Sequence, residues 1–120
     1  MEYKFQQRKL STNTYEIVET VQGTIKGVKR SSVWGDYYIS FEGIPYAKPP
    51  LGELRFKGPV AHENWQGVRD CTGPGSIPMQ ANVVFRKWKG SEDCLYLNVY
   101  TKNVSCVEII INTIFILPEI

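Results

Sequence analysis

The sequence is short of the residues from which most active sites are built. It has one histidine, His62, and three cysteines, Cys71, Cys94 and Cys106, none of them spaced as C-x-x-C. A tetrahedral zinc site therefore lacks ligands, and no metal or other cofactor is expected. None of the serines at 11, 31, 32, 40, 76, 91 and 105 sits in a G-x-S-x-G elbow, and Gly75-Ser76 and Gly90-Ser91 lack its spacing. G-x-G-x-x-G, G-x-x-x-x-G-K-[ST] and H-E-x-x-H are also missing, so nucleotide-binding and metalloprotease readings have no support. Charge of one sign is scarce: 14 Lys+Arg face 12 Asp+Glu, and a net charge of +2 suggests no nucleic-acid partner. The basic clusters Lys26/Lys29/Arg30 and Arg86-Lys87-Trp88-Lys89 are interrupted by apolar residues and read as solvated faces.

Long hydrophobic runs are lacking too. Residues 1–10 (MEYKFQQRKL) contain no apolar h-region of the kind a signal peptide needs. The expectation is a cytoplasmic chain with reduced thiols, with secretion as the runner-up. The sequon Asn103-Val104-Ser105 would matter only in the second case. The apolar run after Asn103 is broken by Glu108 and Asn112-Thr113 and is shorter than the ~20 residues a membrane-spanning helix needs. A membrane partner is therefore not expected.

What the sequence does have is a bend rich in proline and glycine. In residues 41–56, FEGIPYAKPPLGELRF, Gly43 opens backbone angles closed to other residues, and Pro45, Pro49 and Pro50 each fix φ and remove a donor. Ile44, Tyr46, Leu51, Leu54 and Phe56 lie between them, so the loop carries its own apolar anchors and is pinned to a larger body. Upstream, Ile17, Val18 and Val21, then Thr24, Ile25 and Val28, flank Gln22-Gly23 and predict a β-hairpin. Tyr37 to Phe41 reads as a third strand, and the alternation of Leu95, Leu97 and Val99 with Tyr96, Asn98 and Tyr100 as another. Between Gly43 and Gly90 no period is visible, and a long loop is expected. Large aromatics such as Trp34 and Trp65 read as packing residues, with Trp88 the exception.

The motif F-x-G-I-P-Y-A-x-P-P-x-G-x-x-R-F, with EDCLYLNVY at 92–100 and Trp65-Gln66-Gly67-Val68-Arg69-Asp70 between them, resembles the N-terminal signatures of the type-B carboxylesterases, which are α/β-hydrolases. The wording is most similar to the insect α-esterases, and Lys102 departs slightly from the family pattern. The resemblance implies an α/β fold class, here an N-terminal part made mostly of short antiparallel strands and long loops. It divides the chain into a variable arm (1–14), the carboxylesterase part (15–103) and an apolar tail of non-family composition (104–120). It further implies that Arg55 pairs with Glu92, which charge-assisted guanidinium geometry suits. Cys71 and Cys94 would close a loop by a disulfide in secreted members. Residues 71–94 would lie beside the mouth of the active-site gorge, with Trp88 at its border.

The activity implied is hydrolysis of carboxylic esters by a serine nucleophile, a histidine base, an acid and backbone oxyanion donors. None of these can be placed here: the family's triad positions fall beyond this chain, His62 is not at the base's position, and no catalytic residue is assigned. The expected reading is an N-terminal portion inactive by itself, with an ester substrate only in a full-length form. The tail reads as a foreign end in preference to a membrane anchor or a divergent strand. The alternative function is a non-catalytic fragment that associates with a full-length esterase or a chaperone. A membrane-tethered adhesion protein would need a signal peptide and an anchor, and neither is visible.

Overall fold

The computed structural model describes residues 14–105 and 107; the arm at 1–13, Cys106 and the tail from 108 onward lie outside the described residues. Among the described residues seven strands and one short 3₁₀ turn follow one another: β1 (Tyr15–Thr20), β2 (Gly23–Ser31), β3 (Tyr37–Pro45), the turn η1 (Gly52–Leu54), β4 (Val68–Asp70), β5 (Gln80–Asn82), β6 (Lys87–Lys89) and β7 (Tyr96–Thr101). The β-branched residues around Gln22 form the expected hairpin, with Thr20 opposite Gly23 and Tyr15 opposite Val28. β3 pairs antiparallel with β2, and β7 antiparallel with β3, giving the order β1-β2-β3-β7. Strand β3 runs further than expected, continuing through Gly43 to Pro45 by way of a bulge between Phe41 and Ile44.

The segment expected to be a long loop contains short pairings. β4 runs parallel to the first half of β2, with Thr24 opposite Val68 and Lys26 opposite Asp70, while β3 pairs with the second half from Val28 onward. β4 and β3 thus share the edge of β2 that faces away from β1, and the chain leaving β4 enters the fork where β3 diverges. Cys71 bridges that fork. Its N–H donates to the Lys26 carbonyl at 2.9 Å, and its carbonyl accepts the Glu42 N–H at 2.8 Å. Periodicity could not reveal β4 because a three-residue strand holds too little pattern.

The fork is also the centre of the core. Val18, Ile25, Ile39, Phe41, Ile44, Cys71, Val99 and Val107 form one buried cluster, with Trp65, Leu97 and Val104 packed against it. Phe41 lies over Gly27, where an added Cβ would come within 2.6 Å of its ring. Gly43 takes φ 72°, and a Cβ there would meet the Gly75 nitrogen at 2.9 Å and the Gly73 carbonyl at 3.1 Å. The WQGV turn is tied to the hairpin: the Trp65 N–H donates to the Gln22 carbonyl at 3.0 Å, and the indole N–H to the Thr24 carbonyl at 2.9 Å.

Truncating Phe41, which is fully buried, should remove the central plug of the fork. Phe41→Ala is expected to lower unfolding stability by about 3–5 kcal/mol, measured by urea denaturation. Gly27→Ala should also destabilise, by about 1–3 kcal/mol, because the ring has to leave its seat.

Candidate functional site

The proline-rich bend and the β7 strand meet side by side. Ile44 pairs with Leu97 and Pro45 with Tyr96, the Gly43 N–H donates to the Asn98 side-chain oxygen at 3.0 Å, and the Tyr46 N–H to the Leu95 carbonyl at 3.3 Å. Since Pro45 has no N–H and the bulge interrupts the ladder, Asn98 supplies the acceptor that the β7 backbone does not. Beside this seam runs a polar network. Arg30 donates through Nε to the Ser40 hydroxyl at 2.9 Å and through a terminal nitrogen to the Thr72 carbonyl at 3.0 Å, and it lies 3.7 Å from the Glu42 carboxylate. The Tyr100 hydroxyl donates to the other Glu42 oxygen at 2.7 Å. That bond raises the Tyr100 phenol above its ordinary range, because the proton is held by a carboxylate.

On the outer side, the bend forms two shallow recesses. One of about 260 Å³ is walled by Tyr46, Pro50, Leu54, Pro59, Val60 and Leu95, with Lys48 and Lys57 at its rim. The second, about 370 Å³, adjoins Lys48, Pro49, Leu54, His62 and Glu63. Lys48 is engaged with Glu63 at 2.9 Å, and this hydrogen bond holds the Glu63 carboxyl below its usual range. His62 Nδ1 lies 2.7 Å from the Glu63 backbone carbonyl, and the ring meets the edge of Trp65 with centroids 6.0 Å apart.

Ser40 is fully buried and its hydroxyl accepts from Arg30. The hydroxyls of Ser32 and Ser91 accept backbone N–H groups, and that of Ser105 donates to Asn103. Among the described residues none of these hydroxyls is bonded to His62. The geometry offers apolar recesses and a rigid corner.

The residues singled out from the sequence fall as follows. Arg55 and Glu92 are both exposed, and among the described residues the ion pairs do not join them. The Arg55 guanidinium instead lies 5.1 Å from the centroid of the Phe56 ring. Phe56 has φ 62°, a left-handed turn just after η1 that folds its ring back on Arg55. Cys71 and Cys94 are both free thiols, Cys71 in the core and Cys94 half-buried. Burial pushes the Cys71 thiol up from its ordinary 9.0 to about 11. Trp88 stands exposed on β6. The residues that sequence reasoning missed are Asn98, which braces the bulge, and Arg30, which holds the outer face of the fork. A polar residue inside an alternating strand was the available signal for Asn98.

The two signature stretches, far apart in sequence and joined here by Asn98 and Gly43, define a class. The chain belongs to the carboxylesterase family, whose profile matches residues 14–112 and so reaches past Asn103 into the apolar tail. Among curated relatives it is 40% identical over 88 residues to esterase B1 of Culex pipiens, covering 73% of this chain and 16% of that protein. It is 39% identical over 107 residues to the juvenile hormone esterase of Tribolium castaneum, covering 88% of this chain and 18% of that one. The crystal structure of juvenile hormone esterase from Manduca sexta, with OTFP covalently attached, superposes with a TM-score of 0.63 at 40% identity, over 72% of this chain and 17% of that chain. That likeness supports the α/β-hydrolase fold, of which the described residues form a mostly stranded part. The chain spans less than a fifth of the length of these relatives.

Because the buried thiol is neutral in the fold, its contribution is fully present below pH 9.0 and is lost as pH rises towards about 11. Urea midpoints of the wild type should fall more steeply between those limits than those of Cys71→Ala. Arg30→Lys, which keeps the charge but loses the forked donors, is expected to cost about 1–2 kcal/mol in the same assay.

Proposed function

We propose that this chain is the N-terminal portion of a serine carboxylic ester hydrolase of the insect α-esterase kind, and that by itself it turns over no ester. The reading rests on one observation: the two family signatures are locked together at Gly43 and Asn98, while no described serine hydroxyl is bonded to His62. The portion's contribution is structural. It supplies the first sheet, the braced bend and the 71–94 surface that the family resemblance puts beside the gorge. An Arg55–Glu92 pair is proposed as a contact that forms when further chain packs against the bend, and a Cys71–Cys94 link belongs to the secreted alternative. The free thiols of Cys71 and Cys94 support a reducing, cytoplasmic setting.

A second reading is favoured by the exposed apolar side chains Val33, Trp34 and Phe56. These would suit a non-catalytic fragment that associates with a full-length esterase or a chaperone. Size-exclusion chromatography separates the two: a stable monomer with a cooperative melt argues against association.

For activity, the purified chain incubated with p-nitrophenyl acetate should release p-nitrophenol no faster than a serine-free control protein. A fluorophosphonate probe should label none of its serines. Turnover above the control, or labelling of any serine, would overturn the reading.

A further inference from the structure

The β5–β6 hairpin is built unlike the rest of the surface. Asn82 accepts the N–H groups of Val84 and Phe85 through its side-chain oxygen, at 3.0 and 3.1 Å, and so closes a fixed turn. The hairpin is tied at its root by the Ser91 N–H donating to the Ile77 carbonyl at 2.8 Å. At the apex Val83, Val84 and Phe85 are 88%, 82% and 71% exposed, and Trp88 on β6 is 75% exposed. A pre-ordered turn that holds four large apolar side chains in solvent needs something to cover them.

The charges around the apex say what kind of surface that is. Arg86, Lys87 and Lys89 follow the apolar tip directly, and no acidic residue occurs from 71 to 91. Along β6, at ~3.3 Å per residue, Lys89 lies roughly 7 Å further from the turn than Lys87. An apolar tip that enters an interface by ~5–10 Å would thus keep its cations among the headgroups. Interfaces between proteins are depleted in lysine, and a soluble polyanion has nothing to offer Val83, Val84 and Phe85. A second exposed apolar tip, Val33-Trp34, has Asp36 near it in an ion pair with Lys102, and so lacks this excess of cations.

We propose that the β5–β6 hairpin docks on the surface of an anionic lipid bilayer, with Val83, Val84, Phe85 and Trp88 entering the interface and Arg86, Lys87 and Lys89 contacting lipid phosphates and carboxylates. The contact is peripheral and spans nothing. It requires no catalytic group, so it stands or falls independently of ester hydrolysis.

The test is co-sedimentation of the full chain with vesicles of phosphatidylcholine alone or with about 30% phosphatidylserine added. Partition is expected onto the anionic vesicles and to fall with added salt. The triple variant R86Q/K87Q/K89Q should bind on the order of 100-fold more weakly, at about five-fold per cation. The double variant V84S/F85S should lose at least about ten-fold. These side chains are exposed and lie outside the buried cluster, so both variants should melt like the wild type, and circular dichroism checks this. The proposal is overturned if the wild type does not partition onto anionic vesicles, if it partitions equally onto neutral ones, or if either variant binds unchanged. Heparin binding that survives V84S/F85S while vesicle binding is absent would identify a polyanion site instead, and would equally overturn it.

Discussion

The fork between β2 and β3 governs this structure. Two paired strands that separate leave backbone donors and acceptors facing an opening, and a buried, unpaired peptide group costs about as much as a lost hydrogen bond. Here the opening is filled from within the chain. Cys71 accepts from one strand and donates to the other, its side chain joins the core, and Phe41 packs into the space that Gly27 leaves free. Everything distal follows from this wedge. The path from β4 into residues 72–75 is possible only because Gly43 has no side chain to obstruct it, and the kink at Gly43 in turn directs the proline-rich bend against β7. A small thiol suits the wedge because its S–H is a weak donor and costs little to bury.

The site grows from the same constraint. Where β3 bulges, a backbone N–H loses its ladder partner, and Asn98 meets it. The bend beyond is held at Tyr46 by Leu95 and at Lys48 by Val60, through backbone hydrogen bonds. This rigid corner has apolar recesses on its outer side and a polar brace of Arg30, Glu42 and Tyr100 beside the fork. Such a corner positions neighbouring structure. The chain spans less than a fifth of the length of its carboxylesterase relatives.

Much of the fold was legible in the sequence, and what was not has identifiable causes. The hairpin around Gln22 and the β7 alternation could be read because runs of six to nine residues hold several periods of an apolar pattern. β4, β5 and β6 are three residues each and are set by tertiary pairing, which no local pattern records. Arg55 illustrates a different difficulty. A left-handed backbone at Phe56 sets an aromatic ring 5.1 Å from the Arg55 guanidinium, and no local pattern announces that turn. The basic stretch 86–89 reads as a solvated face and its residues are exposed, whereas the Asn82 turn that sets an apolar apex beside them has no period to reveal it.

Amide hydrogen exchange followed by NMR on the intact chain addresses the wedge directly. The N–H groups of Glu42 and Cys71, which close the fork from its two sides, should be protected as strongly as the amides of the β2–β3 ladder and should exchange only with global unfolding. If they exchange at loop rates while the ladder and the β1–β2 hairpin stay protected, the fork is open in solution and Cys71 does not organise the fold.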